Sequence, residues 1–360
     1  MTNQSKVENQ EKKIRVLIVD DSALARKLIA TGLSQDPQIQ VIGVANDPAS
    51  AWDLLIKQQP DVVTLDVEMP GMDGVTFLKK YMAEHPTPTV MVSSLTERGK
   101  KITLDALEAG AVDIVTKPRI GVVDGLPALM NNLCERVRHA ARVNVHRFAP
   151  KQSQTLKPQL PITALHETTD RVIAIGASAG GVAALTRIIP AFPPASPGIV
   201  IVLHMPAGFT TSFAERLNHL AAMQVREAQD GDRIRQGLVL LAPGGDRQMQ
   251  VRRWGGQYRI ALAKGEKVSG HCPSVNVLFQ SVATSAGRNV AAALLTGMGD
   301  DGATGLLAIR RAGGRTFAQD KQTSVVFGMP AVAWDIGAAE ELLPLDHIPA
   351  RLLKEITTRP

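Results

Sequence analysis

Residues Ile175-Gly176-Ala177-Ser178-Ala179-Gly180-Gly181 read IGASAGG, following the apolar run RVIA and leading into GVAALTRII, whose apolar positions fall at helical spacing. A continuous apolar strand, a glycine-rich turn and a helix in that order form one βα unit of a parallel sheet. Such a turn suits two chemistries: cradling a phosphate at the helix N-terminus, or lifting a serine on a sharp bend. Ser178 stands where a dinucleotide-binding G-x-G-x-x-G needs its second glycine, whereas Gly176-x-Ser178-x-Gly180 has the spacing of a nucleophile elbow. Spacing alone leaves Ser178 open between a nucleophile and a small residue in a tight turn.

The same α/β pattern continues downstream. RVIAIG, GIVIVLHM, LVLLAPG and NVAAALLTG read as parallel strands, and MQVRRWGGQYRIAL reads as a hairpin turning at Gly255-Gly256. Upstream, from Ile14, strand-like IRVLIVD, IQVIGVA, DVVTLD, TVMVSS and DIVTKP alternate with helical SALARKLIATGLS, PASAWDLLIKQ, DGVTFLKKYMAE, KITLDALEAG and PALMNNLCERVRHA. Five βα units predict a doubly wound parallel sheet covered on both faces. Between the two patterns, RVNVHRFAPKQSQTLKPQLPITALHETTD loses periodicity and gathers Pro, Gln, Ser and Thr, as an extended linker does.

A length of 360 residues with 44% hydrophobic content is enough for two cored domains. The polar start MTNQSKVENQEKK has no signal-peptide core, and the apolar runs are too short to span a bilayer, so a cytoplasmic location without membrane insertion is expected. Cys134 and Cys272, in no metal-like spacing, are expected as reduced thiols. Residues 1–150 hold 18 Lys and Arg against 18 Asp and Glu, residues 151–170 hold 2 against 2, and residues 171–360 hold 20 against 14. The whole basic excess therefore lies in the second half, where it is either an ordinary solvated surface or a match for an acidic partner.

In the first half, Asp20 and Asp21 end the first strand, Asp66 the third, Ser93-Ser94 the fourth and Lys117-Pro118 the fifth. In an open parallel sheet these ends converge on one edge, where ligands bind. Three carboxylates so close repel one another unless a hard cation is present, and oxygen ligands suit Mg²⁺. Lys117 would neutralise the oxygens of a transferred phosphoryl group. Any one of these aspartates could simply cap a helix, but capping does not account for the set. The half closely resembles a response-regulator receiver domain over residues 14–135. That resemblance implies a flavodoxin-like five-stranded fold, an acidic pocket of Asp20, Asp21 and Asp66 with metal at Asp21 and Asp66, phosphorylation of Asp66 by a histidine kinase, and sensing through Ser93. Ile114 stands where receivers often carry an aromatic switch residue, which puts coupling through a rotating ring in doubt.

A serine needs a base to take its proton and a third group to orient that base. Of eight histidines, six lie in linker or helical surface contexts, leaving His204 at the end of GIVIVLHM and His271 in the loop KVSGHCPSV. LTGMGDDGATG offers Asp300 and Asp301 after a buried strand, so Ser, His and Asp emerge from three strand ends at one sheet edge. The chain order Ser, His, Asp is not that of α/β-hydrolases.

The stretches IGASAGG, LHMPAGFTTSFAERL, VLLAPGGDRQMQV, GHCPSVNVLFQSVA, LLTGMGDDGATGLLAIR and VVFGMP together resemble the catalytic domain of CheB chemotaxis methylesterases over residues 171–355, and LDVEMPGMDG around Asp66 is also typical of that family. The resemblance implies a Rossmann-like, mostly parallel α/β domain joined to the receiver by a linker at residues 136–170. It makes Ser178 the nucleophile, His204 the base and then acid, and Asp301 the orienting residue, with backbone amides forming an oxyanion hole for which Met298 is one candidate. It further implies demethylation of glutamyl methyl esters and deamidation of glutamines on methyl-accepting chemotaxis receptors, the histidine kinase CheA as phosphodonor, and no metal in the catalytic domain. Ala179, Cys272 and Asn276 stand where relatives often have Thr, Arg and Asp, departures that bear on substrate affinity. A DNA-binding output would show a short helical recognition module rather than a large α/β domain, so no nucleic-acid partner is expected. A nucleotide module would need the G-K-[ST] or spaced glycines that IGASAGG lacks.

Overall fold

The structure is a computed structural model that describes residues 12–93, 96–117, 126–143, 145 and 171–357. The first unit contains β1 (Ile14–Val19), α1 (Ala23–Leu33), β2 (Ile39–Ala45), α2 (Pro48–Gln58), β3 (Val62–Asp66), α3 (Gly74–Glu84), β4 (Thr89–Ser93), α4 (Glu97–Glu108), β5 (Asp113–Thr116) and α5 (Leu126–Ala140). Its five strands are all parallel, in the order β2-β1-β3-β4-β5. Every residue of β3 and β4 is buried, as expected of strands covered on both faces. The expected doubly wound sheet is therefore present.

Caps explain where the helices begin. Asp47 accepts from the amides of Ala49 and Ser50 ahead of Pro48, and Asp73 accepts from the amide of Thr76. Helix α4 starts at Glu97, four residues before the helical pattern KITLDALEAG, because Thr96 accepts from the Gly99 amide and caps an earlier turn. Helix α5 runs on through Ala140, past the expected boundary at residue 135. Val137 and Ala140 are fully buried there, and Val143 and Val145 join the same apolar cluster. Ser94, Pro118 and residues 146–170 of the expected linker lie outside the described residues.

The second unit contains β6 (Val172–Ala177), α6 (Gly181–Ile188), β7 (Gly198–Leu203), α7 (Phe209–Leu220), β8 (Gln224–Glu227), β9 (Leu238–Leu241), β10 (Arg247–Trp254), β11 (Gln257–Lys264), α8 (Val275–Ala286), β12 (Val290–Leu294), α9 (Ala303–Arg311), β13 (Arg315–Gln319), α10 (Met329–Asp335), β14 (Glu341–Leu343) and α11 (Ile348–Thr357). Seven parallel strands form one sheet in the order β14-β13-β12-β6-β7-β9-β8, and β10 and β11 form a separate antiparallel hairpin. The hairpin turns at Gly255-Gly256, as its sequence predicts.

The four strands read from apolar runs are present, and β8, β13 and β14 are additional. In β13 the buried polar residues Thr316 and Gln319 hide the signal. Thr316 donates to the Ala338 carbonyl, while Gln319 accepts from the Thr296 amide and donates to the Thr323 carbonyl. Strand order reverses between β6 and β12, which makes the ends of these two strands the switch point where ligands bind in such sheets.

The two units touch. Helix α4 packs on α6 and α7, where Arg216 pairs with Asp105 and Glu108, and Thr186 donates to Glu108 at 3.1 Å. Ala179, Val325 and Val326 of the second unit pack against the apolar cluster of the first that contains Val137, Val143 and Val145.

Candidate active site

Two sites lie at the C-terminal edges of the two sheets. In the first unit, Lys117 Nζ lies 2.6 Å from Asp66 Oδ2 and 3.0 Å from Asp20 Oδ2. Asp20 and Asp66 are buried and Asp21 is exposed, and ligand oxygens of the three lie within 4.8 Å of one another. Burial raises the Asp66 pKa to about 6; Lys117 and the Glu68 amide oppose that shift, and the charge of Asp20 adds to it. Burial works against the Lys117 cation, yet bonds to Asp66 and Asp20 outweigh it and hold its pKa above the ordinary value. The Ser93 hydroxyl is hydrogen-bonded to Thr103 of α4 at 2.7 Å, and Thr103 also donates to the Gly99 carbonyl at 2.6 Å. The contact of Thr103 with Ser93 was not legible, since a threonine inside a helical pattern carries no motif. Ile114 is buried in the core.

In the second unit, β6 and β7 pair through Ala177 and Leu203, so Ser178 and His204 each follow the last paired residue of adjacent strands. The turn after Ser178 requires glycine: Gly180 has φ +76°, and a Cβ there would come within 2.5 Å of Val325. The Ser178 amide donates to the Thr296 carbonyl at 3.0 Å, and the Thr296 hydroxyl donates to the Ala179 carbonyl while accepting from the Val326 amide, both at 2.9 Å. Thr296, two residues past β12, thereby clamps the serine turn from both sides. A Cβ at Gly297 would fall 2.8 Å from the Ser178 Cβ, so bare backbone runs beside the serine just before Met298. Among the described residues no acceptor takes the Met298 amide hydrogen.

His204 Nε2 lies 2.8 Å from Asp301 Oδ2, with both side chains almost fully buried. Asp301 is held at the N-terminus of α8. Its Oδ1 accepts from the Ser274 hydroxyl at 2.7 Å and the Asn276 amide at 3.0 Å, and its Oδ2 accepts from the Val275 amide at 2.7 Å. Burial raises the Asp301 pKa, but the His204 bond and charge and the Ser274 and Asn276 bonds outweigh it, and the carboxyl stays below its ordinary range. Asp300 is exposed and does not reach His204. His204 Nδ1 is buried and has no hydrogen-bond partner among the described residues, and no hydrogen bond joins His204 to Ser178.

His271 stacks on His204, with ring centroids 3.6 Å apart and planes 9° apart. Burial and the neighbouring His204 charge, reinforced by Arg136 and Lys267 and opposed by Asp301, push its pKa down to about 3. The sequence placed His271 only in a loop, and its neighbour Cys272 gave no signal of the stack. Burial and Asp246 raise the Cys272 thiol pKa, with Lys267 opposing, so this sulfur is not an activated nucleophile. Asn276 is buried and accepts from the Thr304 hydroxyl and the Gly305 amide, tying α8 to α9. No described helix is long and apolar enough to cross a membrane.

Comparisons with known proteins agree with this division of the chain. The CheB methylesterase family profile matches residues 173–352, and the response regulator receiver domain profile matches residues 16–121. The chain is 53% identical to a protein-glutamate methylesterase/protein-glutamine glutaminase of Syntrophotalea carbinolica, over 97% of this chain and 99% of that one. It is 54% identical to a protein of the same description from Cereibacter sphaeroides, over 96% of this chain and 92% of that one. The crystal structure of the Thermotoga maritima CheB methylesterase catalytic domain superposes with a TM-score of 0.51 at 37% identity, covering 52% of this chain and 99% of that one. With a receiver domain preceding a methylesterase domain, the chain belongs to the CheB methylesterase family.

Proposed function

We propose that the chain is a phosphorylation-regulated protein-glutamate methylesterase and protein-glutamine glutaminase that works through an acyl-enzyme on Ser178. The observation that carries the reading is the buried bond between Asp301 and His204, because a carboxylate fixed by three further donors leaves the imidazole one tautomer and one orientation. With Nε2–H donated to Asp301, Nδ1 is the nitrogen that accepts the Ser178 proton as Oγ attacks the ester carbonyl. The missing Ser178 to His204 hydrogen bond suits a free enzyme, where catalytic contacts are often long until substrate binds. Charge then develops on the carbonyl oxygen, for which the unengaged Met298 amide is a donor. Collapse expels the methoxy group, which takes the proton from His204 and leaves as methanol. Water, deprotonated by His204, attacks the acyl-serine, releasing a glutamate carboxylate and free Ser178. A glutamine side chain follows the same route with ammonia leaving. The names of the two bacterial relatives pair these activities.

The substrates in this reading are methyl-accepting chemotaxis receptors, and the phosphodonor is the kinase CheA. Asp66 takes the phosphoryl group, with Lys117 pairing its oxygens and Ser93 responding. The donor set suits a hard divalent cation: three carboxylates whose oxygens cluster within 4.8 Å, two of them buried and with Lys117 as the cation paired to them. Asp20, Asp21 and Asp66 would hold Mg²⁺, which when bound offsets the charge of the incoming phosphoryl group. The packing of Ala179, next to Ser178, against the receiver supports a receiver that covers the serine until phosphorylated. Methanol release from methylated receptor membranes, measured with and without a small phosphodonor, tests both parts. Release that rises with phosphodonor is expected, and absence of release in either state would overturn the reading.

A further inference from the structure

Sixteen of the 20 basic residues in 171–360 are arginines, and three of them meet on the outer face of the hairpin. Arg252 lies directly opposite Arg259 across the β10–β11 ladder, and Arg233 bridges Arg259 from the other side. Like charges directly opposite one another destabilise a sheet, so this row is maintained against local stability. Nothing within the described chain neutralises it. Arg252, Arg259 and Arg233 form no ion pair there, and of the two carboxylates on the adjoining loop Asp232 is paired with Arg226 and Asp230 accepts from the Leu262 amide. Trp254 stands two residues beyond Arg252 on the same face, 77% exposed, with the Arg259 guanidinium 6.0 Å from its ring centroid. The opposite face is fixed: Val251 and Ile260 are buried, and β10 is tied to α8 through Ser281 and Ser285.

We propose that the Arg233, Arg252, Arg259 and Trp254 face is an exosite that docks an acidic polypeptide segment. Guanidinium forks bind carboxylates bidentately, and Trp and Arg together are the residues that dominate protein–protein contacts. Trp254 is the only large exposed apolar side chain of the hairpin, too little for insertion into a bilayer surface, and the other face of the β10–β11 ribbon is packed on α8, so the hairpin is not a free ribbon able to enter a nucleic-acid groove. The identity of the partner rests on the proposed reaction. Each turnover leaves a new carboxylate on the substrate chain, so a protein processed at several positions becomes steadily more acidic. The surface is separate from the reacting centre: Gln248, which accepts from the Ser274 amide beside Asp301, lies four residues before Arg252, about 13 Å along an extended strand.

The test is anisotropy of a fluorescein-labelled helical peptide carrying Glu at every third or fourth position, titrated with the full-length protein. Binding that weakens with added salt is expected, and R252E/R259E should lose about 10-fold or more in affinity, equivalent to about 1.4 kcal/mol. R252Q/R259Q, which removes the charge without reversing it, should lose less, and Trp254→Ala should weaken binding further. Equal binding by wild type and both double variants would overturn the exosite, as would tighter binding of wild type to phosphatidylserine vesicles or duplex DNA than to the peptide. Methanol release from a small glutamyl methyl ester by the wild-type protein judges the catalytic reading separately. Its absence would remove the Ser178 chemistry while the peptide result stood.

Discussion

The imidazole rings of His204 and His271 lie face to face, 3.6 Å apart at their centroids, and of the two rings only His204 is bonded to Asp301. Two stacked imidazolium ions would repel strongly, so the two rings do not carry charge together. His271 is held neutral, its pKa pushed to about 3 by burial and by His204, Arg136 and Lys267 against the attraction of Asp301. Between about 3 and the ordinary histidine value of roughly 6.5, the unfolded chain binds a proton that the folded chain refuses. Stability from this group is therefore full above that window and is lost as pH falls through it, at up to about 1.4 kcal/mol per pH unit. Thermal denaturation of wild type and His271→Asn across the window should show a flatter profile for the variant. Equal slopes would remove the neutral His271 from the account.

Asp300 and Asp301 are sequence neighbours with different surroundings, one exposed and one receiving four hydrogen bonds. Asp301→Asn should reduce kcat by roughly 10³–10⁴-fold, since the amide would favour the wrong histidine tautomer. Asp300→Asn should stay within about 3-fold of wild type, in the range of a change at a surface position. Steady-state methanol release measures both, and a larger loss in the Asp300 variant would move the orienting role.

Both parallel sheets were legible because their strands are continuous apolar runs, and the strand-end residues Asp20, Asp66, Ser93, Lys117, Ser178, His204 and Asp301 follow from where those runs stop. Residues that act across long sequence separations were not legible. Thr296 clamps the turn of Ser178 from 118 positions away, and the contacts of His271 and Ser274 with the His204–Asp301 pair depend on how one loop folds onto α8. Strand β13 was missed because its polar residues are buried with their hydrogen bonds satisfied, a pattern that apolar periodicity does not register.

Ser93 and Thr103 join the end of β4, beside the acidic pocket, to α4, the helix that meets the second unit through Asp105 and Glu108. With Ile114 buried, the proposed regulation would run from Asp66 to the interface through this hydroxyl pair. Thr103→Val, which keeps the shape and removes the bond, should cut stimulation by a phosphodonor several-fold, within the about 5–150-fold span of typical couplings. The ratio of stimulated to basal methanol release reads this directly. A ratio equal to wild type would exclude Thr103 from the route.

Arg216 links α7 to Asp105 and Glu108 of the receiver, and all three are partly exposed, so each pair contributes at most about 1 kcal/mol. Arg216→Ala should therefore raise the activity of the unphosphorylated protein by about 2–5-fold, and a chain of residues 171–360 should exceed it. Activity no higher than wild type in both preparations would mean that the receiver does not act by covering the serine.

The most direct test of the central claim is methanol release by Ser178→Ala on a small glutamyl methyl ester, together with peptide-mass analysis of acid-quenched, pepsin-digested wild-type protein. Wild type is expected to release methanol and to carry a glutamyl acyl group on the peptide containing Ser178, and the variant is expected to show neither. Methanol release by Ser178→Ala at a rate near that of wild type would contradict the account.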